Sequence, residues 1–124
     1  MPVQELSSID WGQFCERFTE LLRDRLVTVE FIDPYGIRTE TAHELPLQRM
    51  LLDKSDPCND LIVLECGEPH ERPETHLITE PIHVRLREEK GGRKILEIDA
   101  ESGVHLIHFH YGKVFDLLQG LRWR

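Results

Sequence analysis

The chain has 124 residues, 40% of them apolar, and its 15 basic and 23 acidic side chains give a formal charge of −8. A chain of this length buries roughly two thirds of its extended surface, which is enough for one core and not for two. Mixed charges at ordinary apolar content exclude a collagen-like, a disulfide-scaffold and a wholly disordered chain, and the net acidity argues against general nucleic-acid binding.

The first predicted element is a helix over 10–24. Asp10 stands where an N-cap belongs, Gln13 is the return arm of a capping box, and Ile9 with Phe14 forms a hydrophobic staple. Trp11, Phe14, Cys15, Phe18, Leu21 and Leu22 make one apolar stripe at helical spacing, opposite Gln13, Glu16, Arg17, Glu20 and Asp24. After Arg25 the period falls to two: Val27, Val29 and Phe31 alternate with Thr28, Glu30 and Ile32 as a half-buried strand. Asp33-Pro34-Tyr35-Gly36 is a turn, because proline presets φ and glycine closes it. A weakly alternating strand over 37–44 reads as an edge. Met50-Leu51-Leu52 is a short strand or one helical turn, and 53–60 is a loop. Leu61–Cys66, apolar at nearly every position, is expected as a central strand covered on both faces.

Residues 67–75, with two prolines and three glutamates, read as the most mobile stretch. Three meander strands follow. In the first, Ile82, Val84 and Leu86 point one way and His83, Arg85 and Arg87 the other. Glu89–Gly92 is a tight connection, after which Leu96, Ile98 and Ala100 face inward with Glu97 and Asp99 outward. Glu101-Ser102-Gly103 turns the chain into the last strand, 104–111. The tail forms a short amphipathic helix over about 113–122, and Phe115, Leu118 and Trp123 are expected to pack on the body of the protein or on a second copy. The whole is expected to be one domain over 1–124 of α+β class. An N-terminal amphipathic helix packs on a curled, mostly antiparallel meander sheet, a small partly open β-barrel, with a short C-terminal helix.

No apolar run approaches the roughly 20 residues that cross a bilayer. Met1–Glu5 carries neither a basic nor an apolar leader region, so a soluble, cytoplasmic protein is expected. Cys15, Cys58 and Cys66 form no close pair and fit reduced thiols, Cys15 and Cys66 serving as small hydrophobes.

Three blocks resemble a known family. They are Trp11-x-x-Phe14-x-x-x-Phe18 running into Val27-Thr28-Val29-Glu30; Glu44-Leu45-Pro46-Leu47; and His83-Val84-Arg85-Leu86 through Leu96-Glu97-Ile98 to Gly103 and Leu106-Ile107-x-Phe109. In these the chain resembles the uncharacterised bacterial family called domain of unknown function 5335. The shared residues are packing and turn residues, so the resemblance implies a fold and transfers no active site.

Chemistry is thinly signalled. Seven histidines are the compositional oddity. On a strand, His108 and His110 share a face at the spacing of a metal-binding His-x-His pair, with His83, Glu97 or Asp99 as a third ligand. The bland alternative is that both are half-exposed sheet residues. Cys58, Cys66, His70 and His76 lack zinc-module spacing, since the two cysteines bracket a strand and lie about 20 Å apart. There is no nucleophile elbow, no P-loop and no dinucleotide fingerprint. Cys66 and His70 make a poor thiolate pair, because an apolar strand end raises a thiol pKa. Gly91-Gly92 reads as a hairpin turn before an anion loop, and Glu88-Glu89 as a solvated edge. Residues 82–124 hold eight basic and six acidic side chains, so acidity belongs to the first two thirds and any anionic partner to the last. The expected function is a non-enzymatic binding or accessory module without a cofactor, membrane or nucleic-acid partner, able to dimerise through an edge strand or the apolar tail. The alternative is a metal-binding protein or metal-dependent enzyme with a divalent transition metal on His108, His110 and His83.

Overall fold

The computed structural model describes residues 3–111 and 114–122, the side chains of Val114 and Phe115 excepted. The strands are β1 (Val3–Glu5), β2 (Leu26–Ile32), β3 (Arg38–Asp53), β4 (Leu61–Cys66), β5 (Glu74–Thr79), β6 (Pro81–Glu88), β7 (Arg93–Ala100) and β8 (Gly103–His110); the helices are α1 (Trp11–Leu22) and α2 (Val114–Leu118). All pairings are antiparallel, in the order β1-β6-β7-β8-β2-β3-β4-β5. The class is α+β, and the large antiparallel sheet is not closed into a barrel.

The stripe of α1 is the core face: Trp11, Phe14, Cys15, Phe18 and Leu22 are all buried. Phe18 meets Phe14 at 5.8 Å and Phe109 of β8 edge-on at 5.1 Å, so the rings tie the helix to the middle of the sheet. The Thr19 hydroxyl, also buried, accepts the Met50 amide at 2.9 Å and so fixes the helix against β3 without an orphaned polar group. The helix start differs from the capping-box expectation. A 3₁₀ turn, Ser8–Asp10, runs straight into α1, and Asp10 makes no side-chain cap. Its Oδ2 instead accepts the Arg122 amide at 2.6 Å, clasping the two ends of the chain together. The staple fails as well, because the same turn leaves Ile9 74% exposed.

β3 is one 16-residue strand where a strand over 37–44 and, apart from it, a short strand or helical turn at Met50-Leu51-Leu52 were expected. Its first half pairs with β2 and its second with β4. Between them His43 and Glu44 together oppose Thr28, a β-bulge in which Glu44 takes φ 45° and donates its amide to the Thr28 hydroxyl. The bulge bends the strand, so β4 and β5 leave on a different course from β2. Among the described residues no strand pairs with the other side of 38–45, and in that sense the expected edge is there.

Two strands escaped the sequence reading. β1 covers the edge of β6, and β5 begins inside the stretch read as a mobile loop, pairing with all six residues of β4. β4 itself is covered on one face: Ile62, Leu64 and Cys66 are buried while Leu61, Val63 and Glu65 are half-buried. In β6 a register shift between Pro81 and His83 turns Ile82 outward, leaving Val84 and Leu86 alone inside. Residues 90–92 form a 3₁₀ turn with both glycines at positive φ. The tail buries Leu117, Leu118 and Leu121 in the chain's own core. The expectation for the Phe115 side chain and for Trp123 lies outside the described residues.

Candidate functional site

The period of two on β6, β7, β8 and β2 sorts the sheet into a core face and an outer face. The outer face carries the predicted histidines. His108 and His110 do share it, as their spacing requires, with Arg93 and Ile95 as their partners in register on β7. The His108 side chain is only 11% exposed, and both ring nitrogens are engaged. Nε2 lies 2.5 Å from Glu30 Oε1, and Nδ1 lies 2.8 Å from the Arg93 guanidinium. Guanidinium only donates, so Nδ1 accepts and Nε2 donates, a tautomer with no lone pair left for a metal. His110 is exposed beside it. His83 is elsewhere: it pairs with Asp99, which pairs with Val104, placing it two strands and four residues from His108. That is roughly 13 Å along the strands and about 10 Å across them. His83 Nδ1 lies 3.0 Å from Glu5 Oε2. Among the described residues no three histidine, cysteine or carboxylate side chains stand together as a metal site.

The rest of the outer face is an ion network. Arg85 reaches Glu97 at 2.9 Å, Asp99 at 2.5 Å and Glu5 at 3.3 Å, and Arg87 reaches Glu97 at 3.3 Å. These contacts, Asp99 foremost, raise the Arg85 pKa against the opposing pull of burial. Ile95 and Leu106 are buried on this face although they are not part of the main core, which fits cover by the long side chains around them. Arg85 and Arg87 are thus committed to carboxylates.

The core face holds a different pair. His105 on β8 has the parity of Ile107 and Phe109 and so points inward at the strand's end. His76 on β5 has the parity of the buried Ile78 and pairs with Leu64. The bend in β3 lets these strands, at the end of the sheet order and in its middle, line one cavity of about 360 Å³ with Phe31, Thr39, Thr41, Leu77 and Ser102. The Nε2 atoms of both histidines are out of contact with solvent and have no hydrogen-bond partner among the described residues. Burial pushes both pKa values below 6.5; Glu74 draws His76 back up, and His76 pushes His105 further down. Phe31 is held against the His105 ring, 4.8 Å between centroids, by the turn at Gly103. A Cβ on Gly103 would come within 2.3 Å of the Ile32 carbonyl and 2.8 Å of the Phe31 ring, and its φ of 146° suits glycine alone.

Neither His76 nor His105 stands in a sequence motif that points to this site. His105 was within reach, since one parity step from Ile107 places it on the core face. His76 was not, because its strand went unrecognised. The thiols behave as expected: burial pushes Cys15 and Cys66 up to about 12, so both are inert packing groups, and Cys58 is exposed on its loop. A third hollow, lined by Asp53, Asp56, Asp60 and Glu80, is acidic, and the groove beside His108 and His110 includes Glu40 and Glu44. No helix among the described residues is long and apolar enough to cross a membrane.

A protein-family model described as a family of unknown function (DUF5335) matches residues 3–116. Comparison with curated proteins and comparison with solved structures give no match.

Proposed function

The chain belongs to the DUF5335 family of unknown function, and from that premise we propose that it is a non-enzymatic binding module, one domain acting in the cytoplasm, that takes a small ligand between β5, β8 and the β2–β3 hairpin. What supports this reading is one observation: two histidines whose buried Nε2 atoms have no partner among the described residues line a hollow together with hydroxyls and one aromatic ring. Buried polar atoms are ordinarily satisfied, and leaving one unmade costs about 1–3 kcal/mol. Such groups persist where a ligand or ordered water supplies the missing bond. A volume of about 360 Å³ is in the range of small-molecule sites.

The test is a fragment screen by NMR on isotope-labelled protein. Hits that perturb His76, His105, Phe31 and Ser102 together, and that vanish in His76→Gln, support the reading. Hits confined to other surfaces, or none, sink it. Elemental analysis of the dialysed protein runs beside it. A stoichiometric transition metal that disappears in His108→Ala/His110→Ala would favour the metal-binding alternative. That alternative requires His108 to release Glu30 and Arg93.

A further inference from the structure

The cavity differs in its chemistry from the other two hollows. Its lining is donor-rich and contains no carboxylate: two imidazoles, the hydroxyls of Thr39, Thr41 and Ser102, the Phe31 ring and Leu77. Of two others, one is walled by Asp53, Asp56, Asp60 and Glu80, and the other sets Glu40 and Glu44 beside Arg93, which is already engaged by His108. In a chain of charge −8, a hollow with no carboxylate in its lining spares an anion repulsion at close range. We propose that it receives a small carboxylate carrying an apolar body, whose oxygens accept the Nε2–H groups of His76 and His105 as these rings, buried at its wall, turn toward it. This names the ligand class of the binding-module reading and rests on it.

The division of labour follows from the lining. The carboxylate end meets the two imidazoles and the Ser102 and Thr39 hydroxyls; Thr41 already donates to the Val29 carbonyl at 3.3 Å. The apolar body lies on Phe31 and Leu77, with the Phe31 ring fixed by Gly103. A metal is the weaker fit, because the lining offers two nitrogen ligands and no third strong donor.

Proton uptake accompanies binding. The facing groups are few: Glu74 two residues along β5, the two histidines themselves, and Glu101 beside Ser102, which is hydrogen-bonded to Glu80. On β4 the neighbour of His76 is Leu64; on β3, Thr39 and Thr41 bring no charge. An anion set between two imidazoles reverses the penalty that burial places on their charged forms, so an imidazole takes a proton from solvent as the ligand enters. Affinity therefore rises as pH falls, by up to about tenfold per pH unit for each proton taken up.

The experiment titrates the full chain with benzoate at about pH 6 and about pH 7.5, following histidine ring nitrogens by NMR, with neutral benzamide and Zn(II) as separate arms. The expected result is benzoate binding that shifts both Nε2 resonances and tightens toward pH 6. Benzamide should bind at least about tenfold more weakly, a difference of about 1.4 kcal/mol. His76→Gln/His105→Gln should abolish the pH dependence while His108→Ala keeps it. Because the pH and benzamide arms use the unaltered protein, a variant that fails to fold leaves the test intact. Equal binding of benzamide, or benzoate binding independent of pH, overturns the anion assignment and leaves the binding module standing. Zn(II) shifting both rings while benzoate shifts neither does the same. Silence in all three arms overturns the carboxylate proposal, and the fragment screen then decides the broader reading alone.

Discussion

Two pairs of histidines lie on opposite faces of one sheet, and the fold treats them in opposite ways. His108 and His83 on the outer face are tied to carboxylates, Glu30 and Glu5, and His108 also to Arg93. His76 and His105 on the core face keep their Nε2 atoms buried and unmatched. The outer pair is surrounded by charge that the chain supplies for itself. The inner pair is surrounded by hydroxyls and hydrocarbon, and no described residue completes it. Spacing in the sequence favoured the outer face, through His108 and His110 with His83 as a third ligand, and unsatisfied chemistry favours the inner pair. A motif places side chains on one face, but only the neighbours across the sheet decide whether they are available.

The largest expected effect comes from breaking the inner side. Gly103→Ala forces a Cβ into the Ile32 carbonyl and the Phe31 ring, at a φ that alanine resists. A loss of about 2–4 kcal/mol is expected, read as a lower denaturant midpoint at unchanged slope. The cavity loses its Phe31 wall in the same step, so the inner histidine resonances should move while that of His108 stays. A loss under about 0.5 kcal/mol would show that the turn yields easily.

Breaking the outer side costs less. Arg85→Met leaves Asp99 without the cation it shares with Glu97, and about 1–2 kcal/mol should be lost in low salt. The loss should shrink as salt is added, because this face is open to solvent. The inner histidine resonances should not move. Movement there would mean that the two faces are coupled, contrary to the comparison.

The smallest effect sharpens the contrast by pH. The inner imidazoles titrate below 6.5 in the folded chain, so as pH falls the unfolded chain takes up protons first. Their contribution to stability is whole above about pH 6.5 and is lost as pH falls through the lowered folded values. A His76→Gln/His105→Gln variant should flatten that part of the stability profile, measured by denaturant midpoints across the range. An unchanged profile would place the acid sensitivity in other groups.

Much of the fold was legible because it is written in periodicity. The helix stripe, the β2 alternation, the Asp33–Gly36 turn and the β6–β8 meander all follow from local pattern. The Asp33 side chain does accept the amides of Tyr35 and Ile37 at 2.9 Å, as a turn residue should. What was missed depends on distant partners. β1 is three residues long and exists because β6 needs an edge partner. β5 is polar at four of its six positions and is ordered by β4. Asp10 looked like a cap, but the Arg122 amide lay closer to hand. The same limit governs the site: His76 and His105 are 29 positions apart, and no short pattern joins them.

The long bent strand β3 makes the distance between those histidines a matter of chain length. Its first half carries the β2 wall of the cavity and its second half carries β4, and through it β5 with His76. One residue inserted after Pro46 would exchange the two faces of everything that follows in the strand. Two would restore the faces but slide His76 along by roughly 6.6 Å, out of reach of His105. Exposed positions over 38–53 can accept other strand formers, whereas the residue count cannot change. In evolutionary terms the segment behaves as a ruler: tolerant of substitution and intolerant of insertion or deletion.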